Sequence, residues 1–166
     1  TTLMNERASI GGGGGAVNVD FAYKLANQVT IDDKPAIEDS AVRAKLADWY
    51  VQAQGYKLTK FRTQTALSRG ETPGPENSIG KIITANQLQD ICNSGIELED
   101  HFGLIMDEDL SPMKAIFQSS FLWAPGLRIA GGTDEILKNI IAERVLGLPQ
   151  DVRVDKDVPF EQLRVG

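Results

Sequence analysis

The sequence predicts an all-α fold, an antiparallel up-and-down helix bundle formed as one domain over residues 1–166. Three observations predict it. Apolar residues recur at three- and four-residue spacing over long stretches, the period of a helix face. Breaks rich in Gly and Pro separate those stretches. No stretch alternates apolar and polar residues with the period of two that a half-buried strand requires. Four or five amphipathic helices joined by short breaks bury their stripes most simply against one another.

The elements follow in order. Residues 1–28 combine a helical start with five consecutive glycines, Gly11 to Gly15. Glycine is costly inside a helix because it surrenders the most backbone freedom, so a flexible interruption is expected there. "VTIDDKPAIED" reads as a connector, and Asp39 is placed to cap the next helix. Val42, Leu46, Trp49, Ala53 and Tyr56 then form an apolar stripe that can continue through "KLTKFRTQTALSRG". "GETPGPENSIG" breaks the pattern with two prolines. A second long helix is expected from Ser78 or Ile79 to about Leu98, with Ile82, Leu88, Ile91 and Ile96 on a less regular face. "HFGLIMDEDLSP" is a connector, Met113 to Leu122 is expected to be helical, and "WAPGLRIAGG" to interrupt it. Thr133 begins the last helix, on which Ile136, Leu137, Ile140, Ile141 and Leu146 predict a broad buried face. Gly147 and Pro149 stop it. Trp49, Tyr56 and most methionines are read as packing residues.

Composition narrows the function classes. With 42% hydrophobic and 24% charged residues, the chain reads as a soluble globular protein. A net charge of −6 and the lack of a long basic run argue against nucleic acid as the main partner. The lone Cys92 allows no internal disulfide, and no Cys/His cluster suggests a metal. The single histidine, His101, is expected to be structural or merely exposed. No apolar run reaches the roughly 18 residues of a membrane span, and the start lacks the order of a signal peptide, so a cytoplasmic location is expected. The chain does not begin with Met, which fits a fragment or a processed chain.

"RIAGGTDEILKN", residues 128–139, concentrates the remaining chemistry. Thr133 can cap the last helix, and Asp134 and Glu135 favour its positive end. Gly131 and Gly132 permit unusual dihedrals or the close approach of a flat ligand. Backbone amides at such a start can also meet an anionic cofactor group. By local chemistry alone this is a well-made helix start.

A resemblance goes further. "GGTDEILKNIIAERVLGLP" resembles the C-terminal helix of acyl-CoA dehydrogenases, and "TLMNERASIG" the start of their C-terminal α-helical domain. "SRGETPGPENSIGK", with the preceding "VRAKLADWYVQAQGYKLTKFR", is similar to a bacterial branch that includes actinobacterial members acting on fatty or sterol-side-chain CoA thioesters. The resemblance covers nearly the whole chain. It implies that residues 1–166 are the C-terminal helical domain and that the family's N-terminal and middle domains lie outside this sequence. It also implies FAD as cofactor of the complete enzyme, an acyl-CoA substrate, and electron-transfer flavoprotein or another electron acceptor as partner. Homo- or hetero-oligomeric subunits are implied too, with no membrane or nucleic-acid partner.

The implied reaction is α,β-desaturation, in which a glutamate removes the α proton and the flavin receives the β hydride. Many family members carry that glutamate immediately before the "GT" of the C-terminal motif, where this chain has Gly131. Another branch places the base in an "ER" pair on the first helix of the domain. Asn5-Glu6-Arg7 matches that pair, which makes Glu6 the candidate catalytic base. Thr133, Glu135 and Gly132 match positions near the flavin, and Gly103 is the residue of "EDHFG" retained from a glycine-rich pyrophosphate loop. The family's arginine-x-x-phenylalanine-glycine motif, which meets a neighbouring subunit's flavin, is missing from "YKLANQVTIDDKPAIED". The main expectation is therefore the C-terminal part of a flavin-dependent acyl-CoA dehydrogenase, inactive and flavin-free when isolated. The alternative is a noncatalytic partner subunit that supports flavin or substrate binding in a hetero-oligomer.

Overall fold

The computed structural model describes residues 17–71, 74–150 and 158–162. The readings at Gly11 to Gly15 and at Glu6 and Arg7 lie outside the described residues.

Helix α1, Val19–Ala26, is capped by Asn18, whose side chain accepts from the Asp20 and Phe21 amides. The connector that follows contains a four-residue hairpin, β1 (Thr30–Ile31) against β2 (Lys34–Pro35). Its turn residues Asp32 and Asp33 have φ of 50° and 62°, a left-handed pair that Asx side chains tolerate. Asp39 caps α2, Ser40–Ser68, accepting from the Ala41 and Val42 amides at 2.9 and 3.0 Å. Helix α3 runs Asn77–Leu98, α4 Ile116–Ile129 and α5 Asp134–Arg144.

The pairing contacts make the bundle antiparallel. Between α2 and α3, Lys45 reaches Ser94, Trp49 reaches Asp90, Tyr56 covers Gly80 and Thr63 reaches Asn77, so one index rises as the other falls. Between α3 and α4, Gly95 meets Phe117 while Lys81 meets Arg128. Helix α3 is thus the central rod. Among its buried positions, Ser78, Lys81, Ala85, Leu88, Cys92 and Gly95, continued by the C-cap Glu99, alternate steps of three and four, the seam of an antiparallel helix pair. Gly95 admits Phe117, which is fully buried; a Cβ at residue 95 would collide with that ring.

Three expectations change. "WAPGLRIAGG" does not interrupt a helix: α4 continues through Pro125 to Ile129. An interior proline costs about 3 kcal/mol, but Phe117, Ala124 and Leu127 bury one face of α4 on either side of it and hold the turn together. Helix α4 also does not begin at Met113, because Met113, Lys114 and Ala115 are left-handed, with φ of 51°, 58° and 51°. Met113 packs on the core from that turn, whereas Met106 is exposed. Finally, the buried face of α5 is narrow. Leu137 is fully buried, but Ile136 and Leu146 are 51% and 67% exposed, because α5 lies chiefly against α3 and its outer side has no cover among the described residues.

One polar cluster closes the far end of α3. Glu99 is 3% exposed, and its Oε2 accepts from Gln118 Nε2 at 2.6 Å. The same amide reaches Ser111 Oγ at 2.9 Å and the Phe102 carbonyl at 3.2 Å. Glu99 Oε1 and Gln118 Oε1 are both buried without a donor. Burial pushes the Glu99 carboxyl up to about 7, only partly countered by the Gln118 hydrogen bond. The charged side chains on the adjoining turns, Asp100, His101 and Lys114, are exposed.

The pH consequence follows from linkage. Glu99 binds its proton more tightly folded than unfolded, so its contribution is complete below the ordinary value of 4.5 and is lost as pH rises to about 7. Thermal melts of Glu99→Gln should show a weaker decline in stability across that window than wild type; parallel curves would show that Glu99 does not titrate there. Gly95→Ala should lower stability by about 1–3 kcal/mol in chemical denaturation, the cost of overpacking against Phe117.

Candidate functional site

The α4–α5 junction is built on two glycines and one buried cation. Gly131 and Gly132 have φ of 66° and 110°, and the second value is one that side-chain-bearing residues rarely adopt. The turn closes through the Ala130 amide to the Gly126 carbonyl at 2.9 Å and the Gly132 amide to the Ile129 carbonyl at 3.2 Å. Beneath it lies Lys81, 1% exposed. Its Nζ donates to the Arg128 and Gly132 carbonyls, each at 2.7 Å, and stands 3.6 Å from Asp134 Oδ1.

Asp134 completes the network. It is 3% exposed, and its Oδ2 accepts from Arg128 Nε at 2.9 Å, from Arg128 Nη2, and from Asn86 Nδ2 at 3.3 Å. Arg128 Nη1 also reaches Gln89 Oε1 at 3.1 Å. Burial of Asp134 opposes ionisation. The Arg128 and Asn86 hydrogen bonds and the charges of Arg128 and Lys81 outweigh it, holding the carboxyl below its ordinary range.

The predicted cofactor-binding residues divide into two groups. Gly132, Thr133 and Glu135 come together at this junction. Thr133 caps α5, its Oγ1 accepting from the Ile136 amide at 3.5 Å. Glu135 is exposed, and its own amide and the Thr133 hydroxyl keep its carboxyl low. Gly103 lies at the other end of α3, packed on Ile96. A Cβ there would strike the Ile96 carbonyl, so packing alone accounts for glycine at 103. Counted along α3 from Lys81 to Ile96, at about 1.5 Å per residue, the two groups are roughly 22 Å apart. Glu6 lies outside the described residues.

Neither acid beside the junction is shaped as a general base. Asp134 is turned inward and neutralised by two cations, and Glu135 is solvated with a lowered proton affinity. Cys92 is buried, and burial pushes its thiol up to about 12, which suits packing rather than nucleophilic chemistry. His101 is exposed beside Asp100. Among the described residues no cluster of three or more His, Cys, Asp or Glu is placed to hold a metal ion, and no helix is long and apolar enough to cross a membrane. An apolar cavity of about 250 Å³ lies between α1, α2 and α3, lined by Leu25, Leu46, Trp49 and Leu98, and shares no residue with the junction.

Lys81 is the residue that sequence reasoning missed. A signal was present: Lys81 occupies the same three-four register as Ala85, Leu88 and Cys92, where a solvated lysine does not belong.

The family profile described as acyl-CoA dehydrogenase, C-terminal domain, matches residues 1–146. Among curated proteins, acyl-CoA dehydrogenase FadE34 of Mycobacterium tuberculosis is 30% identical over 151 residues, covering 90% of this chain and 19% of that protein. Acyl-CoA dehydrogenase IpdE1 of Mycolicibacterium smegmatis is 29% identical, covering 81% of this chain and 33% of that protein. The chain therefore spans about a fifth to a third of these relatives. Among solved structures, the ChsE4-ChsE5 complex from Mycobacterium tuberculosis aligns with a TM-score of 0.68 at 18% identity, covering 80% of this chain and 35% of that one. The Tcur3481-Tcur3483 steroid ACAD aligns with a TM-score of 0.68 at 21% identity, covering 90% and 38%. At these identities the likeness establishes the fold.

Two outcomes test the junction. Asp134→Asn should destabilise the protein by roughly 3 kcal/mol near neutral pH, because it leaves the Lys81 ammonium buried without a counter-charge. Since the folded carboxyl titrates below its ordinary 3.8, the stabilisation it supplies is complete above that value and is lost as pH falls through the folded one. Acid unfolding of wild type should therefore be steeper below about pH 4 than that of the variant. Gly132→Ala should cost about 1–2 kcal/mol by calorimetry, the penalty of a side chain at positive φ.

Proposed function

The chain belongs to the acyl-CoA dehydrogenase family through that family's C-terminal domain, and from this premise we propose that it supports flavin or substrate binding in a hetero-oligomeric, flavin-dependent acyl-CoA dehydrogenase. The observation that carries this reading is Gly131. It stands where the resemblance places a catalytic carboxylate, and neither Asp134 nor Glu135 can replace it. What remains is a hydrogen-bonded junction without a carboxylate at residue 131, suited to holding a flat ligand.

The residues present fit part of FAD. Gly131 and Gly132 carry no Cβ to hold a ring away, Thr133 offers a hydroxyl, and the first turn of α5 offers the positive end of a helix. The Gly103 region fits less well, because Ile96 closes its α-carbon and the exposed acids Asp100 and Asp107 nearby in the chain disfavour an anionic diphosphate. FAD, when bound, supplies the acceptor for the substrate's β hydride. The chain's own part is to position and to exclude water. Two structural relatives are named as two-component assemblies, one of them a steroid ACAD, which supports a paired subunit and a bulky sterol-derived acyl-CoA substrate.

A second reading is favoured by Asn5-Glu6-Arg7. There Glu6 takes the α proton, and the same junction serves a complete active site within one subunit. In both readings the electrons pass on to electron-transfer flavoprotein or another acceptor.

The deciding experiment compares the full-length protein and its Glu6→Gln variant, each with and without the partner subunit. A supporting subunit predicts that Glu6→Gln keeps turnover of the assembly within about threefold. A loss of about a hundredfold or more with flavin retained would instead make Glu6 the base, since general-base removal is worth that much. The 166-residue chain alone should show no flavin-dependent turnover.

A further inference from the structure

We infer that Lys81 is a positioning residue for the junction: by drawing the Gly132 carbonyl inward, it turns the Thr133 amide outward toward a hydrogen-bond acceptor on the bound ligand. The last clause rests on the flavin-side reading; the first does not.

The geometry is direct. No described peptide bond is cis, and in a trans peptide the C=O of one residue and the N–H of the next point in opposite directions. The Gly132 carbonyl points at Lys81 Nζ, 2.7 Å away in the bundle interior, so the Thr133 N–H points away from that interior. The Arg128 carbonyl belongs to the last turn of α4, whose final carbonyls lack helical partners, and Lys81 takes it as well. Asp134, in the first turn of α5, faces the same ammonium. One side chain thus ties the end of α4, the glycine pair and the start of α5 to the middle rod of the bundle.

Lysine suits this task better than its neighbours in chemistry. Its ammonium is a compact tetrahedral group that donates to two backbone carbonyls at once and sets its positive charge 3.6 Å from the Asp134 carboxylate. Arginine would present a planar fork rather than a point of donors, and methionine offers no donor. The two glycines have no preferred conformation of their own, so their dihedrals have to be imposed from outside, and Lys81 and the two turn hydrogen bonds impose them.

The test uses the complete protein with its partner subunit, comparing wild type, Lys81→Met, Lys81→Gln and a core control on the same helix, Leu88→Ala. Hydrogen exchange by mass spectrometry is read on peptides spanning residues 126–137 and 42–56, with flavin affinity and the visible flavin band measured in parallel. Lys81→Met should speed exchange in the junction peptide about tenfold more than in the α2 peptide, weaken flavin binding about tenfold and shift its band. Leu88→Ala should raise exchange in both peptides together and leave the flavin band in place. Exchange at the junction that follows α2 in Lys81→Met overturns the inference. Selective exchange with unchanged flavin affinity and spectrum keeps the positioning role and defeats the flavin-side reading. If Lys81→Met does not fold, Lys81→Gln, which keeps a donor without the charge, must show the same selective exchange, and uniform exchange in it overturns the inference equally.

Discussion

The ammonium of Lys81 is the contact on which the junction depends. Taking a charge out of water costs several kcal/mol even after relaxation, and a core of apolar side chains would be cheaper at that position. The chain meets the cost with acceptors that are themselves in need of donors. The Arg128 carbonyl ends a helix, the Gly132 carbonyl ends a turn, and Asp134 brings the opposite charge. The two carbonyls take hydrogen bonds from the lysine, and the carboxylate, already held by Arg128 and Asn86, takes its charge. What the ion pair secures is therefore less stability than a single arrangement of a glycine pair that has little preference of its own.

The two ends of α3 show how one physical term gives opposite chemistry. Asp134 and Glu99 are equally buried, both 3% exposed. Around Asp134 two cations and an amide outweigh desolvation and keep the carboxylate charged. Around Glu99 only the neutral Gln118 answers, so desolvation wins and the carboxyl rises to about 7. One end of the rod is an ionic clamp that acid loosens, and the other a neutral pair that alkali loosens. Maximal stability should fall between those limits.

Much of the architecture was legible in residue spacing. The cap at Asp39, the stripe through Leu46 and Trp49, and the cap at Thr133 are local features with local causes, and they stand where expected. Helix α3 was harder to read because its buried seam is Ser78, Lys81, Ala85, Cys92, Gly95 and Glu99 as much as Leu88. Phe117 presses on Gly95 in that seam and Tyr56 on Gly80 beside it, and a hydrophobicity pattern registers small and polar residues as breaks. Pro125 misled for the reverse reason: its local penalty is real, but burial on both sides of it outweighs that penalty. At the candidate site, the glycine dihedrals and the Thr133 cap follow from the residues themselves. The roles of Lys81 and Asp134 do not, since each exists only once helices distant in sequence are packed.

The outer surface bears on how the domain is used. Leu58 and Phe61 on α2, Leu122 and Trp123 on α4, and Ile136 on α5 each expose half or more of their surface. The chain spans a fifth to a third of its curated relatives, and under the proposed function such residues would face the rest of a larger assembly. Under the proposed function, a glycine at 131 is compatible with a division of labour between subunits. On the proposed supporting role, holding a flat ligand requires backbone geometry, which Lys81 and the glycine pair would supply. Removing a proton requires a carboxylate facing the substrate, and that carboxylate need not come from the element that holds the ligand. The hydrogen bonds that tie the junction to α3 run from Lys81 to the Arg128 and Gly132 carbonyls, and Arg128 holds Asp134 beside them, so a junction with glycine at 131 keeps a defined shape.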